Sequence, residues 1–374
     1  MPKQNIVFCM NQIVMGGIEK ILLQYLSELR DKYNISVLSR NKVTDTYFLN
    51  YFKQNNIKLI DNIAVPRMQH IHFFLWKILL KPIKIISKKI NNYKAILNKF
   101  DIIIDFCNFS FEPELRNINK TKIAWCHGSI LFFNNCNFIQ KLSTYDKLIC
   151  LSDNFLNSFV DMYPEHKNKI SRLYNPLNIS EIQHAAKKQT PPNEKYFIHV
   201  SRLDGVDKDL ITVINAFDLF YKKNQDVKLY IVGDGVQKEH LEQLAANNPN
   251  IVFCGRIDEP YYLISGALAL ILSSSTTIGE GLPVVLTEAQ ILQTLTISSD
   301  VPSGPSEILL NGDAGILFPP KDHETLSKIL LDVAENEEKY KKQIKKANEH
   351  LYRFNINNID IYKILNNINN IIGV

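Results

Sequence analysis

The sequence has no CxxC pair: its six cysteines, Cys9, Cys107, Cys126, Cys136, Cys150 and Cys254, are scattered, most of them inside apolar runs. This excludes a thioredoxin-type motif and argues for free thiols in a reducing compartment, with no structural disulfides or zinc. No G-x-G-x-x-G follows the first strand-like run, which disfavours a dinucleotide-dependent enzyme. The nine histidines have no metal-binding spacing, and only His70 and His72 lie close together. There is no long apolar run at the start: Ile6–Met10 is too short for a signal peptide or a membrane span and reads as a strand. Charge of one sign is also lacking. Lys+Arg is 43 against Asp+Glu 38, a net +5, too mild to argue for nucleic acid without a clustered patch.

What is present is an ordinary globular composition, 45% hydrophobic and 22% charged over 374 residues, enough for two cored domains. Short continuous runs of Ile, Val and Leu alternate with amphipathic stretches. They predict strands at Asn5–Cys9, Ile35–Ser39, Ile57–Ile60, Asp101–Phe106, Lys122–Cys126 and Lys147–Leu151. In the second half they predict strands at Tyr196–Val200, Val227–Val232, Ile251–Cys254, Ala269–Ser273 and Thr296–Ser298. Strands of this kind are buried on both faces, as in parallel α/β sheets. Asn175-Pro176 closes the first half, and the polar, proline-bearing 187–194 stretch follows. The expected units are 1–178, 194–345 and a C-terminal helix, 346–374, whose Ile361, Ile364, Leu365, Ile368, Ile371 and Ile372 share one face. Two doubly wound domains facing each other would place a ligand cleft between the carboxyl ends of their strands.

Four motifs carry chemistry. Gly279-Glu280-Gly281-Leu282-Pro283 leads into an apolar helical stretch bearing Glu288. Pro283 suits the first helical position, and the free N–H groups there favour an anion such as phosphate. Glu288, one turn further and starting roughly 7–8 Å beyond Pro283, is better placed for a sugar attached to that phosphate. Its carboxylate suits vicinal ribose hydroxyls. Arg202 and Lys208 follow the strand ending at Val200, where two cations can neutralise a diphosphate and stabilise charge on a departing phosphate. Gly16-Gly17 follows the first strand, where paired glycines permit close approach to a ligand. His127 ends another strand and would face the cleft. Asp207-Lys208-Asp209 is formally an Asp-x-Asp pattern, but Asp204, Asp207 and Asp209 read better as capping and surface groups.

With these residues in view the sequence resembles the retaining nucleotide-sugar glycosyltransferases of the GT-B fold, family four, over nearly its whole length. The match includes the Glu280-x7-Glu288 spacing, Arg202 with Lys208, Ile231–Gly235, Phe253–Arg256, Ser298–Pro305, Gly16-Gly17, His127 and Asn175-Pro176. The Ser303-Gly304-Pro305 run is similar to the branch that builds bacterial lipopolysaccharide, capsule and other surface glycans. The resemblance implies two Rossmann-like domains across a cleft, with the C-terminal helix packing back on the first. It implies that Arg202 and Lys208 hold a donor diphosphate, Glu288 the ribose and Glu280 the sugar hydroxyls. Gly281, Leu282 and Pro283 would face sugar or phosphate, Arg256 and Ile257 the base, Gly16 and Gly17 the phosphate and acceptor side, and His127 the transferred sugar. It further implies no metal and no cofactor beyond the donor itself, most simply a UDP-hexose such as a galactose or N-acetylhexosamine donor, and transfer with retention to a glycan or glycolipid. A cytoplasmic location follows. One departure is that Gln293 and Leu295 replace a glycine and a proline beyond the Glu288 helix, so Gln293 must take a left-handed cap or the helix must end differently.

Residues 62–100 hold Arg67, Lys77, Lys81, Lys84, Lys88, Lys89, Lys94 and Lys99 and no acidic residue, leaving the rest of the chain at −3. Lys77, Lys81, Lys84 and Lys88 fall on one helical face beside Phe73, Phe74 and Trp76. That pattern suits either a solvated helix face or the anionic inner surface of the cytoplasmic membrane. The competing overall reading is a non-catalytic homologue that binds a nucleotide sugar or scaffolds a glycan synthase, against which the intact glutamate pair, basic pair and His127 stand.

Overall fold

Continuous apolar runs form the strands of two wholly parallel sheets. The computed structural model describes residues 2–61, 93–133, 137–204, 208–275 and 279–358. The first sheet holds β1 (Asn5–Met10), β2 (Asn34–Ser39), β3 (Lys58–Asp61), β4 (Ile102–Asp105), β5 (Thr121–Trp125), β6 (Lys147–Cys150) and β7 (Ile170–Arg172), in the order 3-2-1-4-5-6-7. The second holds β8 (Tyr196–Val200), β9 (Lys228–Val232), β10 (Ile251–Gly255), β11 (Ala269–Leu272), β12 (Leu295–Ser299) and β13 (Ile316–Phe318), in the order 10-9-8-11-12-13. These are the expected doubly wound domains. The edge strands β7 and β13 were not expected, because three residues are too few to show a pattern. The membrane-contact candidates Lys77, Lys81, Lys84 and Lys88, and the apolar face of Ile361–Ile372, lie outside the described residues.

The helices that build the crevice are α1 (Gly17–Leu29), α2 (Thr46–Gln54), α3 (Asp153–Met162), α4 (Ile179–Ala186), α5 (Leu210–Tyr221), α6 (Tyr261–Ser265), α7 (Val284–Ile291) and α8 (Gly304–Ile308). Helix α1 buries Ile21, Leu22, Tyr25, Leu26 and Leu29, the i, i+1, i+4, i+5, i+8 face that a sheet requires. Tyr25 meets Trp125 edge-on at 4.8 Å, and Trp125 meets Phe106 at 5.0 Å. Each such pair adds about 0.5–1.5 kcal/mol beyond burial. One apolar cluster runs from Phe8 and Trp125 of the first sheet through Leu282, Val284 and Leu286 to Ile198 and Leu270 of the second, so the two domains share a core where they meet. Helix α4 lies in the 179–193 stretch that the sequence reading left between domains; its Ile182 and Ala186 bury into this same cluster. The chain also returns to the first domain near its described end: Leu177 N–H donates to Phe354 O at 2.8 Å, and Ile356 N–H donates to Leu177 O at 3.0 Å.

Glu307 on α8 ties the domains together. Its two carboxylate oxygens accept the backbone N–H groups of Asp153 and Asn154, both at 3.0 Å, and Oε1 also accepts Tyr174 OH at 2.7 Å. Ser152 Oγ accepts the next free donor, Phe155 N–H. The otherwise unpaired first turn of α3 is thus completed from the other domain, with an anion at the positive end of the helix. Replacing Glu307 with Ala should lower the unfolding free energy by about 1–2 kcal/mol in urea titration. A midpoint unchanged from that of the native chain would show that the cap contributes nothing.

Candidate active site

Strand order reverses between β1 and β4 in one sheet and between β8 and β11 in the other. Such switch points leave a crevice beyond the carboxyl ends of the strands. Here the loops of the two crevices meet. A Cβ on Gly281 would stand 1.9 Å from the His127 carbonyl oxygen, and one on Gly279 would stand 2.8 Å from Ser129 Oγ. Only glycine permits the backbones to approach this closely. Gly17 is less constrained, since its Cβ would meet Val284 at an ordinary 3.6 Å.

Glu280 sits in the loop between β11 and α7. Its backbone bridges Ser303, its N–H donates to Pro302 O at 3.3 Å, and its carbonyl accepts Gly304 N–H at 3.2 Å. Its Oε1 forms an ion pair with Lys208 Nζ and accepts Ser274 Oγ at 2.5 Å. Buried serines hold the surrounding backbone: Ser273 Oγ donates to the carbonyls of Lys208 and Asp209, and Ser299 Oγ accepts Ser274 N–H. Ser303 has φ 89°, a strained conformation for a side chain. Arg202 is half-exposed, 3.9 Å from Asp204, and its Nε is 3.8 Å from the Cβ position of Gly16. Arg202 thus lies beside the start of α1, and Lys208 is engaged by Glu280.

Glu288 is 3% exposed in the second turn of α7. Its Oε1 accepts Lys20 Nζ at 2.9 Å and Tyr261 OH at 3.1 Å. Pro283 is the N-cap of α7 with φ −69° and ψ 108°, and Val284 is the first helical residue. This corrects the expected helix start by one residue, because ψ at Pro283 is extended. Leu282 is buried, and its carbonyl accepts Asn175 Nδ2 at 3.2 Å. Gln293 takes the left-handed alternative, with φ 59°. Asp209 is the N-cap of α5, where its carbonyl accepts Thr212 N–H at 3.1 Å; its carboxylate accepts no helix N–H but does accept Thr212 Oγ1 at 2.7 Å.

His127 is held by a chain that begins at the fully buried Asp105. That carboxylate accepts Tyr145 OH at 2.6 Å and Phe111 N–H at 2.8 Å, fixing the loop after β4. Asn108 on that loop accepts His127 N–H at 2.7 Å. The imidazole meets Phe106 edge-on at 4.5 Å, and its buried Nε2 has no protein partner. Burial pushes its pKa down to about 3, against a hydrogen bond to the Phe106 backbone. The ring is neutral at physiological pH and cannot serve as a cation there. Arg256 is half-exposed, paired with Asp45, the N-cap of α2, at 2.9 Å and with Asp258 at 2.7 Å, and Ile257 packs against the shared cluster. Among the described residues no three His, Cys, Asp or Glu side chains form a group able to hold a metal. Sequence reasoning missed Lys20, Tyr261, Ser274, Asp45 and Glu307. The Ser273–Ser275 run at a strand end is the one signal that was available for any of them.

Glu19, next to Lys20, is 7% exposed. Burial raises its pKa from 4.5 to about 7, with the Arg202 charge opposing. Between those values the folded chain keeps a proton that the unfolded chain has released, so this group makes stability fall as pH rises from 4.5 to 7. His127 and His199, both held down at about 3 chiefly by burial, act in the opposite sense between pH 3 and 6.5. Glu19→Gln removes only the first effect. The variant should gain up to about 3 kcal/mol on the native chain between pH 4.5 and 7 in urea titrations. A difference that stays flat with pH would contradict the raised pKa.

Residues 180–350 match the family described as glycosyl transferases group 1. An uncharacterized glycosyltransferase of Methanocaldococcus jannaschii is 28% identical over 262 residues, 62% of this chain and 63% of the relative. The lipopolysaccharide 1,6-galactosyltransferase of Salmonella typhimurium is 27% identical over 211 residues, 52% of this chain and 56% of that protein. The chain thus spans less than two thirds of the length of either. Among solved structures, Anabaena HepE in complex with UDP and glucose superposes with a TM-score of 0.75 at 18% identity, covering 97% of this chain and 99% of that one. Residues 180–350 thus match the group 1 glycosyl transferase family, and the chain as a whole has the two-domain GT-B fold of the solved structures.

Proposed function

We propose that this chain transfers a hexose from a UDP-sugar to a bacterial surface-glycan or lipid-linked acceptor, with retention of configuration and without a metal. The observation that carries the reading is that the loops at the two switch points hold two cation–carboxylate pairs, Lys208 with Glu280 and, across the domains, Lys20 with Glu288, with Arg202 beside the start of α1. Fixed cations at that place stabilise a charge that exists fully only when the diphosphate departs. The UDP in the HepE neighbour and the lipopolysaccharide galactosyltransferase among the relatives support the donor and acceptor classes.

In this mechanism the bond between the anomeric carbon and the β-phosphate oxygen breaks, and its electron pair stays on UDP. The acceptor oxygen bonds to the same face of the anomeric carbon, and its proton passes to the departing phosphate oxygen. Arg202 and Lys208 hold that phosphate. Glu288 holds the ribose. Glu280, kept in place by Ser274, accepts sugar hydroxyls once Lys208 turns to the phosphate. The lone pair of neutral His127 Nε2 accepts a further sugar hydroxyl. Arg256 and Ile257 border the base.

A thermal-shift panel of nucleotides and nucleotide sugars identifies the donor, because a specific ligand stabilises the fold by mass action. With that donor, Glu288→Ala should lower kcat/KM by about 10- to 100-fold. Lys208→Ala should lower kcat by about 100-fold or more, with the fold retained. NMR of the product should show the donor's anomeric configuration, and EDTA should leave turnover unchanged. Undiminished turnover in both variants would refute the site, and a chain that binds UDP-sugars without consuming them would be a non-catalytic homologue.

We extend the reading to location. The basic, aromatic-flanked sequence around Lys77, Lys81, Lys84 and Lys88 suits the anionic inner face of the cytoplasmic membrane, where a lipid-linked acceptor would lie. The chain should sediment with anionic liposomes at low salt and release as salt rises. Charge reversal at Lys81, Lys84 and Lys88 should abolish this, and a native chain left in the supernatant would refute it.

A further inference from the structure

Lys20 belongs to the first domain and Glu288 to the second, yet the ammonium and the carboxylate are 2.9 Å apart. Lys20 Nζ is also 3.4 Å from Tyr261 OH and lies 5.0 Å from the centre of the Tyr261 ring. Both donors, Lys20 Nζ and Tyr261 OH, reach the same oxygen, Oε1, of a carboxylate that is almost wholly buried. A carboxylate has acceptor sites on both oxygens. Saturating Oε1 from two sides fixes the plane of the group and turns Oε2 toward the remaining acceptor work.

The placement of Lys20 is itself determined. It sits in the first turn of α1, where its N–H donates to Gly16 O at 3.1 Å. Gly17, at the helix start, packs against Val284, the first residue of α7. The starts of α1 and α7 are therefore in contact, and Lys20 reaches Glu288 only while they remain so.

From the Lys20–Glu288–Tyr261 cluster we propose that Lys20 is a positioning residue for ribose: it orients Glu288 from across the crevice, so that recognition of the ribose hydroxyls of the donor nucleotide operates only when the domains are closed. The inference rests on the donor reading above. It adds that the second domain, which holds Glu288 and Tyr261, does not read ribose by itself. A nucleotide that reaches the open crevice meets a carboxylate oriented by Tyr261 alone, and full affinity waits for α1.

Isothermal titration of the full chain with UDP and with 2′-deoxy-UDP tests this, using the native protein, Lys20→Met, Lys20→Arg and Glu288→Ala. Lys20→Met should weaken UDP binding by about tenfold and bring UDP and 2′-deoxy-UDP to within about threefold of each other. Lys20→Arg, which keeps a cation within reach, should restore most of the discrimination. A merely structural lysine would not change the ratio between the two nucleotides. If Lys20→Met keeps the native affinity and ratio while Glu288→Ala loses them, the positioning role is overturned and the donor reading stands. If neither variant changes UDP binding, the donor reading falls as well.

Discussion

The crevice depends on the absence of a side chain at residue 281. The carbonyl oxygen of His127 occupies the space that a Cβ there would take. Because the two backbones touch, the loop carrying Glu280, the start of α7 and the end of β5 form one surface. Gly304 continues the packing from behind, where its own Cβ would stand 2.4 Å from Gly281 O. Interiors this tightly packed transmit displacement instead of absorbing it. A shift of the first domain is thus felt at the glutamate loop without any intervening lever.

On this surface the charges are arranged as mutually satisfied pairs. Lys208 neutralises Glu280, Lys20 neutralises Glu288 and Arg256 neutralises Asp45. Buried ions are costly unless partnered, and removing one partner leaves the other exposed to the full penalty. The pairing explains how three carboxylates and three cations share a partly dehydrated crevice. It also means that an incoming anion competes with carboxylates already in place. Neutral His127 is a different element, its Nε2 buried without a partner among the described residues.

Much of this was legible in the sequence, for identifiable reasons. Parallel strands buried on both faces show as unbroken Ile, Val and Leu, so β1 and β8 stood out, whereas three-residue β7 and β13 left no pattern. The Glu280 loop was legible because a proline, two glycines and a following apolar helix lie within a dozen residues. Gln293 was identified as an anomaly, and it does take the left-handed conformation normally left to glycine. The partners of the site were not legible. Lys20 and Glu288 are separated by 268 positions, and Glu307 reaches an N–H group 154 positions away. No local periodicity encodes such pairings. They follow only once the two sheets are docked, because domain contact is a property of the assembled surfaces and not of either segment.

The chain passes between the domains at two neighbouring places, and the passages are stitched together: Leu177 exchanges backbone hydrogen bonds with both Phe354 and Ile356. A body hung on a single flexible thread tumbles in three directions. One suspended on two adjoining threads, like a door on paired pins, keeps a single easy axis of swing. Any rotation of one domain on the other would be confined to that line, and each return would bring the same atoms back into register.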